Sequence, residues 1–321
     1  MKFVLIAGLF LSFALSAQTV KVGVLAPEGT SWAKKMEEMA KEIKKATDGK
    51  VKLRFYFGGS QGDEPDVLRK IRVGQLHGGI FTGKTLGEIA GDVRVIELPF
   101  TFGADREKAL STLGKMTPYF NKQFEAVGFQ NIGFFELGMI YFVSQVKTES
   151  LEKLNGIKIW SWEGDKLVEA MISEMNLVSV PLPLPDVLSS LSTGIIQAAY
   201  APPMGMLALQ WNTKIKYIVD FPITYSVGAF LLDQKMWDKI PTQYHAKIKE
   251  ISSKYVEDVN KANDKDNKEA LSVMKASGIE MLKFPEADLK RGKELRAAMV
   301  KRLKGPLFSA EAYDLLTKSL K

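Results

Sequence analysis

The stretch Gly156-Ile-Lys-Ile-Trp160-Ser-Trp162 combines a turn glycine, a short apolar strand and two tryptophans separated by one residue. Side chains in a strand alternate between its two faces, so Trp160 and Trp162 are expected on one face if the strand extends that far. The preceding segment Glu136–Ser144 is a second apolar strand. We expect the two strands to line a ligand cleft and their apolar character to select the ligand.

Strand and helix patterns alternate around this stretch. Val20–Leu25 and Val51–Phe57 have strand patterns, and a helix from Trp32 to about Ala46 separates them. Such units build a parallel sheet. Later, the 36 residues from Thr242 to Ser277 contain neither proline nor glycine. If wholly helical, that segment is about 54 Å long, enough to lie across two domains.

The N-terminus has the pattern of a secretory signal peptide. Lys2 precedes an apolar run, Phe3–Phe13, which is followed by the small residues of Ala14–Ala17. We expect cleavage after Ala17, with an uncleaved anchor as the alternative. Cysteine is absent, so lipid attachment at a cleavage-site cysteine is excluded. These features predict a soluble protein exported to a bacterial periplasm.

Several function classes are disfavoured by composition and motifs. The formal net charge of +7 is modest, and positive and negative side chains alternate on helical faces such as Lys34–Lys45, so nucleic-acid binding is not expected. His77 and His245 are the only histidines. No nucleophile motif or metal-ligand spacing is present, so we expect no catalytic residues, no metal and no cofactor. The glycine-rich segment Gly58–Asp63 lacks both the P-loop ending and the dinucleotide-binding spacing.

Six short motifs follow the signal sequence in a fixed order. They are the Ser31-Trp32 helix start, Gly59-Ser-Gln61-Gly-Asp63, Gly74-Gln-Leu-His-Gly-Gly79, Leu98-Pro-Phe100, Gly156-Ile-Lys-Ile159 and Ser192-Thr-Gly194-Ile-Ile-Gln197. In this order and spacing, the chain resembles the solute receptors of TRAP transporters, the DctP family, over essentially the whole mature chain.

The resemblance implies an α/β, two-domain periplasmic binding protein fold with hinge strands and a long helix spanning both domains. It divides the chain into a signal peptide (1–17), domain I (18–138 and 228–270), domain II (139–227), and a C-terminal strand and helices packing across the domains (271–321). It further implies a small-molecule ligand closed into the cleft between the domains and delivery to TRAP membrane permease subunits. Some members work with an additional periplasmic protein of TPR repeats, which is a further expected partner.

The chain departs from the family at its ligand-clamping positions. Relatives carry an arginine for the ligand carboxylate after the Gly-x-Lys-Ile strand, where this chain has Trp160. Leu137 and Ile140 replace an asparagine and an arginine on the preceding strand. Enclosing a carboxylate without a cationic partner costs several kcal/mol. We therefore predict a neutral apolar or amphipathic ligand.

The candidate ligand-binding residues come from both domains and from the strands between them. They are Trp32, Gln61, Thr82, Leu137, Met139, Ile140, Trp160, Trp162, Tyr200, Pro202 and Tyr225. Trp211 and Trp237 are expected to be structural. Two alternatives stay open. In one, Trp160 and Ile140 belong to the core and other groups hold a polar organic acid. In the other, Trp160 and its neighbours fill the cleft of a periplasmic scaffold without a ligand.

Overall fold

The computed structural model describes residues 17–321, so all of the predicted signal peptide except Ala17 lies outside the described residues. The strands are β1 (Gln18–Gly23), β2 (Val51–Tyr56), β3 (Gly78–Thr82), β4 (Phe129–Ser144), β5 (Lys158–Ser161), β6 (Val178–Pro181), β7 (Ala198–Ala201), β8 (Tyr217–Asp233) and β9 (Glu280–Leu282). The α-helices are α1 (Ser31–Ala46), α2 (Glu64–Arg72), α3 (Gly83–Ile89), α4 (Arg106–Ala126), α5 (Lys166–Glu174), α6 (Val187–Thr193), α7 (Pro203–Ala208), α8 (Gln234–Lys239), α9 (His245–Ala276), α10 (Glu286–Leu303) and α11 (Ala310–Ser319). Short 3-10 helices cover Gly91–Glu97, Glu152–Leu154, Leu184–Asp186, Trp211–Thr213 and Thr242–Tyr244.

The strands form one mixed sheet in the order β2-β1-β3-β8-β4-β7-β5-β6, and β9 pairs with β8. Strands β4 and β8 are 16 and 17 residues long and run antiparallel to each other through the centre. One end of β8 pairs with β3, and the opposite end of β4 pairs with β7. The two long strands therefore belong to both halves of the sheet, as predicted for hinge strands. The half with β1–β3 is called the first lobe below, and the half with β5–β7 the second lobe.

A bulge interrupts the central pair of strands. The register of β4 against β8 shifts between Glu136 and Gly138, and Gly138 has φ +104°. Asn267 on α9 donates from Nδ2 to the Leu137 carbonyl at 3.0 Å and accepts from Met204 N at 2.9 Å. This side chain thus ties the bulge to the start of α7. The predicted domain boundaries fall at this bulge, and the division into domains stays a prediction.

Helix α9 is 32 residues long, which corresponds to about 48 Å. It packs against α1 of the first lobe, against β4 and against α7 of the second lobe. The C-terminal helices also join the lobes, since α10 packs on α5 and α11 packs on α4. Among residues 17–321, no helix is long and apolar enough to cross a membrane.

Two local features differ from what the sequence pattern indicates. Pro99 favours an extended backbone in the residues before it, but Gly91–Glu97 forms a 3-10 helix, which places Arg94 and Glu97 close enough to pair. The pair Thr117-Pro118 is typical of a helix start, but α4 runs through Pro118 without a break. A proline inside a helix costs about 3 kcal/mol. The burial of Phe120 and Phe124 on the inner face of α4 offsets that cost.

Candidate functional site

A cavity of about 330 Å³ lies between the two lobes. The first lobe contributes the start of α1, the end of β3 and the 3-10 helix Gly91–Glu97, and the second lobe contributes β5, the start of α5, β7 and α7. The central strands β4 and β8 and helix α9 complete the lining. The volume falls near the lower end of the range of small-molecule sites, about 300–1,000 Å³. The cleft is therefore not packed solid, which argues against a scaffold whose cleft is filled by its own side chains.

An aromatic cluster around Trp160 forms one wall. The Trp160 ring stacks on Tyr200 at a centroid distance of 5.0 Å and meets Trp162 and Trp211 edge-on at 5.9 and 5.5 Å. Its side-chain Nε1 donates to the Leu182 carbonyl at 2.9 Å. Trp160 is 4% exposed, so its indole is held rigidly by the second lobe and presents only a small part of its surface to the cavity.

Eight of the candidate residues line this cavity. They are Trp32, Thr82, Leu137, Ile140, Trp160, Trp162, Tyr200 and Pro202. Trp160 and Trp162 both line the cavity, although β5 ends at Ser161 and Trp162 therefore lies just beyond the strand. Their contact with a ligand stays a prediction.

Three candidates do not line this cavity, and their contact with a ligand stays a prediction. Tyr225 is fully buried and donates its hydroxyl to the Glu136 carboxylate at 3.1 Å. Met139 neighbours Ile140 on β4, so the alternation of the strand turns it away from the cavity and into the core. Gln61 accepts a hydrogen bond from the Lys70 ammonium at 3.3 Å beside α2.

Two tryptophans were predicted to be structural. Trp237 packs against His245 at a ring distance of 4.2 Å and does not line the cavity. Trp211 is buried, but it lines the cavity and supports Trp160. The sequence pattern did not indicate this position, because it depends on the 3-10 helix Trp211–Thr213, which places the Trp211 ring against Trp160.

A buried group of charges lies in the same cavity and connects the lobes. Arg94 of the first lobe is 2% exposed, and its Nη2 lies 3.1 Å from both carboxylate oxygens of Asp165 in the second lobe. Its Nε lies 3.1 Å from Glu97 Oε2. Burial alone would lower the pKa of Arg94, but Asp165 and Glu97 raise it above its ordinary value. The guanidinium is therefore charged, and with its two carboxylates it leaves a formal charge of −1.

The two carboxylates are held firmly by other donors. Asp165 is the N-cap of α5, and its Oδ1 accepts from Leu167 N and Val168 N at 3.1 and 3.2 Å. Glu97 Oε1 accepts from the Ser226 hydroxyl at 2.6 Å and from Val227 N at 3.1 Å. Both anions are therefore fixed by the backbone and are not free to turn toward a ligand.

Two glycines on α3 make room for Arg94. A Cβ added at Gly87 would lie 2.9 Å from Arg94 Cγ, and one added at Gly83 would lie 3.2 Å from Arg94 Nη1. The second of these distances also places Nη1 beside Gly83, which itself lines the cavity. The side chain of Arg94 thus enters the site through a channel that larger residues on α3 would close.

Several polar groups of the lining have no hydrogen-bond partner among residues 17–321. They include Arg94 Nη1, Arg94 Nε and Trp162 Nε1, which are buried. Arg94 Nε lies 3.1 Å from Glu97 Oε2 as an ion pair but does not have the geometry of a hydrogen bond. Burial raises the pKa of the Tyr200 hydroxyl well above its ordinary value, with a further contribution from Asp165.

Glu64 is a further buried carboxyl group, and it lines the cavity on the first-lobe side. Glu64 accepts from Thr82 N at 2.8 Å, and its other oxygen lies 2.7 Å from the Thr82 hydroxyl. Burial raises the pKa of Glu64 to about 8. The group is therefore mostly protonated at neutral pH, and it fixes Thr82 rather than offering a charge to the cavity.

The charged group around Arg94 was missed by sequence reasoning. Its signal was present in Val93-Arg94-Val-Ile-Glu97-Leu98, where two opposite charges three residues apart interrupt an otherwise apolar run. Burying such a run requires the charges to be paired. The partner Asp165 could not be found in this way, because it lies 71 residues further along the chain.

The histidines have structural contacts. His77 Nδ1 accepts from Lys21 N at 3.1 Å, and the His245 ring nitrogen Nε2 lies 2.9 Å from the Ile240 carbonyl. Within residues 17–321, no group of three or more potential ligands could hold a metal ion.

Comparison with known proteins gives a consistent family and fold. A family model described as "Bacterial extracellular solute-binding protein, family 7" (DctP) matches residues 22–304. The C4-dicarboxylate-binding periplasmic protein DctP of Rhodobacter capsulatus is 21% identical over 253 residues, which cover 78% of this chain and 74% of that protein.

Two solved structures are similar over nearly the whole described chain. A TRAP periplasmic solute binding protein from Desulfovibrio salexigens with bound orotic acid is 20% identical, has a TM-score of 0.86 and matches over 94% of this chain and 98% of its own. Another, from Haemophilus influenzae RdAW with bound L-gulonate, is 20% identical, has a TM-score of 0.87 and matches over 95% and 100%. The predicted two-domain α/β architecture is thereby confirmed.

Proposed function

The chain belongs to the DctP family of bacterial extracellular solute-binding proteins, and from this premise we propose that it is a TRAP receptor for a neutral apolar or amphipathic small molecule. Members of the family are substrate-binding receptors of transporters and not enzymes. TRAP solute receptors deliver small-molecule ligands to membrane permease subunits. The neutral ligand is the part of the proposal that goes beyond the family.

The proposal of a neutral ligand rests on the charge balance around Arg94. Arg94 is the one cation that lines the cavity among the described residues, and Asp165 and Glu97 already compensate it. A ligand carboxylate about 4 Å from a site of net charge −1 is opposed by about 4 kcal/mol at an effective dielectric constant of about 20. Desolvation of the carboxylate adds to that cost.

The remaining lining favours apolar surface. Trp160, Leu137, Ile140 and Leu184 face the cavity together with the ring of Tyr200. Burial of apolar ligand surface contributes about 25 cal/mol per Å². Flat or ring-shaped ligands would also gain from contact with the aromatic wall.

A receptor for an organic acid is the second candidate, and one observation favours it. Arg94 Nη1 has no hydrogen-bond partner among the described residues and could bind a carboxylate oxygen. The relatives named above were solved with orotic acid and L-gulonate, which are acids. The two candidates differ in whether the ligand replaces Asp165 as the counter-ion of Arg94.

A thermal-shift comparison separates the candidates. Ligand-free protein would be heated with orotate, L-gulonate and succinate, and in parallel with neutral aromatic ketones and alcohols. A ligand present at 100 times its Kd stabilises the folded state by about 2.7 kcal/mol. We expect melting-temperature shifts with neutral compounds only. Saturable stabilisation by one of the acids, with none by any neutral compound, would contradict the proposal.

Two further parts of the proposal concern the cell. The family is extracytoplasmic, and we propose a periplasmic location after cleavage following Ala17, which N-terminal sequencing of the exported protein tests. A periplasmic TPR-repeat partner stays a prediction from the family resemblance.

A further inference from the structure

One carboxylate of the cavity lining, that of Asp266, has no cationic partner among residues 17–321. Five carboxyl groups line the cavity in all, and they belong to Glu64, Glu97, Glu136, Asp165 and Asp266. We infer that Asp266 binds a hydrogen-bond donor of the ligand, an O–H or N–H group, and thereby selects the ligand. This inference rests on the proposed function, because it concerns the polar group of a ligand in the same cavity.

The other four carboxyl groups already have strong partners. Two of them lie 3.1 Å from Arg94. Both oxygens of Glu136 accept from Arg106 Nε at 3.1 Å. Glu64 is bonded to the backbone N–H and the hydroxyl of Thr82. The fifth carboxylate is therefore the one whose charge is left for a ligand to meet.

Asp266 lies on α9 and keeps one oxygen accessible. Its Oδ2 accepts from the hydroxyl of Ser31 at the start of α1. Its Oδ1 has no hydrogen-bond partner within residues 17–321 and, in contrast to Arg94 Nη1, is not buried. The residue as a whole is partly exposed and belongs to the cavity lining. Asp266 Oδ1 is thus an ionised acceptor that a donor in the cavity can use.

A second acceptor lies on the same face of α9. Asn263 is three residues before Asp266, and residues at this spacing are neighbours on a helix. Its Nδ2 donates to the Glu136 carbonyl at 2.9 Å, which fixes the orientation of the amide because a carbonyl oxygen only accepts. Asn263 Oδ1 then remains without a partner in the described chain and is not buried. Both residues line the cavity, so this face presents two accessible acceptor oxygens.

The polar groups that a ligand can carry differ in what they gain from Asp266. A ligand carboxylate meets a like charge, and an ether oxygen brings only lone pairs to a place of lone pairs. A hydroxyl donates a charge-assisted hydrogen bond, which is about twice as strong as a neutral one. An ammonium group donates as well and adds the attraction of opposite charges. The apolar body of the ligand would meanwhile lie against the aromatic part of the lining, which includes Trp32 and Trp160.

Four probes with a phenyl ring and a short chain test the inference on the mature protein. They are 4-phenylbutan-1-ol with a hydroxyl, its isomer methyl 3-phenylpropyl ether without a donor, 4-phenylbutylamine with an ammonium group, and 3-phenylpropanoate with a carboxylate. Affinities would be measured by titration calorimetry in the wild type, in Asp266→Leu and in the matched control Asp258→Leu. Asp258 is also a partly buried aspartate of α9, but it does not line the cavity.

We expect the alcohol to bind about tenfold more tightly than its isomeric ether in the wild type and in Asp258→Leu. In Asp266→Leu the two affinities should become equal, with the ether bound at least as tightly as before, because leucine removes both carboxylate oxygens and favours the helix. Asp266→Asn, which keeps the outline of the side chain and one neutral acceptor, should retain a preference of about threefold.

The possible failures of the inference and of the proposed function are distinguishable. Equal affinities for the alcohol and the ether in the wild type, or an unchanged ratio in Asp266→Leu, would overturn the inference alone. Tightest binding of the amine, lost in Asp266→Leu, would support the donor site and contradict the neutral ligand of the proposed function. Tightest binding of 3-phenylpropanoate would overturn both.

Discussion

Substitution of Asp165 by asparagine separates the two roles of this side chain. Asp165 caps α5 and is also the buried partner of Arg94 across the cleft. Asparagine is about as good an N-cap as aspartate, so Asp165→Asn should keep the start of α5. It removes one charge and leaves Arg94 paired with Glu97 alone.

The expected loss of stability follows from the burial of this pair. Removing one partner of a buried ion pair costs about 3–5 kcal/mol. The retained contact with Glu97 at 3.1 Å and the remaining asparagine carbonyl should reduce the cost for Asp165→Asn to about 2–3 kcal/mol, at or just below that range. For a chain of this size, such a loss lowers the melting temperature by about 3–5 °C.

Differential scanning calorimetry measures this effect, with Asp105→Asn as the matched control. Asp105 caps α4 through Lys108 N at 2.9 Å and makes no ion pair within residues 17–321. Its substitution should shift the melting temperature by about 1 °C or less. An equally small shift for Asp165→Asn would refute the idea that the Arg94–Asp165 pair stabilises the arrangement of the lobes. The same variant should also bind 3-phenylpropanoate at least about tenfold more tightly than the wild type.

Three other substitutions test the wall, the bulge and the buried acid. Trp160→Arg should abolish binding of neutral ligands and raise the affinity for organic acids about tenfold, measured by titration calorimetry. Gly138→Ala should lower the free energy of unfolding by about 1–3 kcal/mol in urea, because φ is +104° and Asn267 Nδ2 lies 2.8 Å from the added Cβ. Glu64 has a pKa raised from 4.5 to about 8 in the folded state, so its contribution to stability is lost as the pH rises through that window. Glu64→Gln should flatten this pH dependence.

Each of these tests has its own control or contrary result. Gly114→Ala is the control for Gly138, because Gly114 lies in α4 with open space around it and should gain about 0.5–1 kcal/mol. Glutamine at position 64 can imitate a protonated carboxyl toward Thr82, so an unchanged pH profile would show that Glu64 is ionised in the folded protein. Acid affinity unaltered by Trp160→Arg would show that position 160 does not face the ligand.

The alternation of strands and helices was predictable because it depends on local patterns. The strand that contains Trp160 follows from apolar periodicity, and the long helix α9 follows from the absence of proline and glycine. Local sequence patterns alone do not show that eight of the candidate residues line one cavity. That prediction came from the position of the ligand cleft in the family that the chain resembles.

The bulge at Gly138 shows why face assignments on β4 were only partly right. Leu137 and Ile140 are three residues apart and would lie on opposite faces of a regular strand. The register shift between Glu136 and Gly138 inserts an extra residue, so both line the cavity and Met139 between them does not. A bulge of this kind depends on contacts with β8 and α9, which local sequence does not encode.

The Arg94 group marks the limit of sequence reasoning on the ligand. The missing family arginines at positions 140 and 160 predicted a cavity without a cation, yet a different arginine enters it from a 3-10 helix. Its charge is compensated by Asp165, which lies in the other lobe and 71 residues further along the chain. The predicted ligand class therefore rests on a pairing between distant segments and not only on the absence of an arginine.

Identification of the molecule that co-purifies with the protein decides whether its natural ligand is neutral or acidic. The mature protein would be exported in its native host, purified without added ligand, and examined by native mass spectrometry and by solvent extraction. We expect a neutral molecule with an apolar body, which is absent from purified Trp160→Arg. A bound dicarboxylate, sugar acid or other organic anion at one equivalent per protein would contradict it.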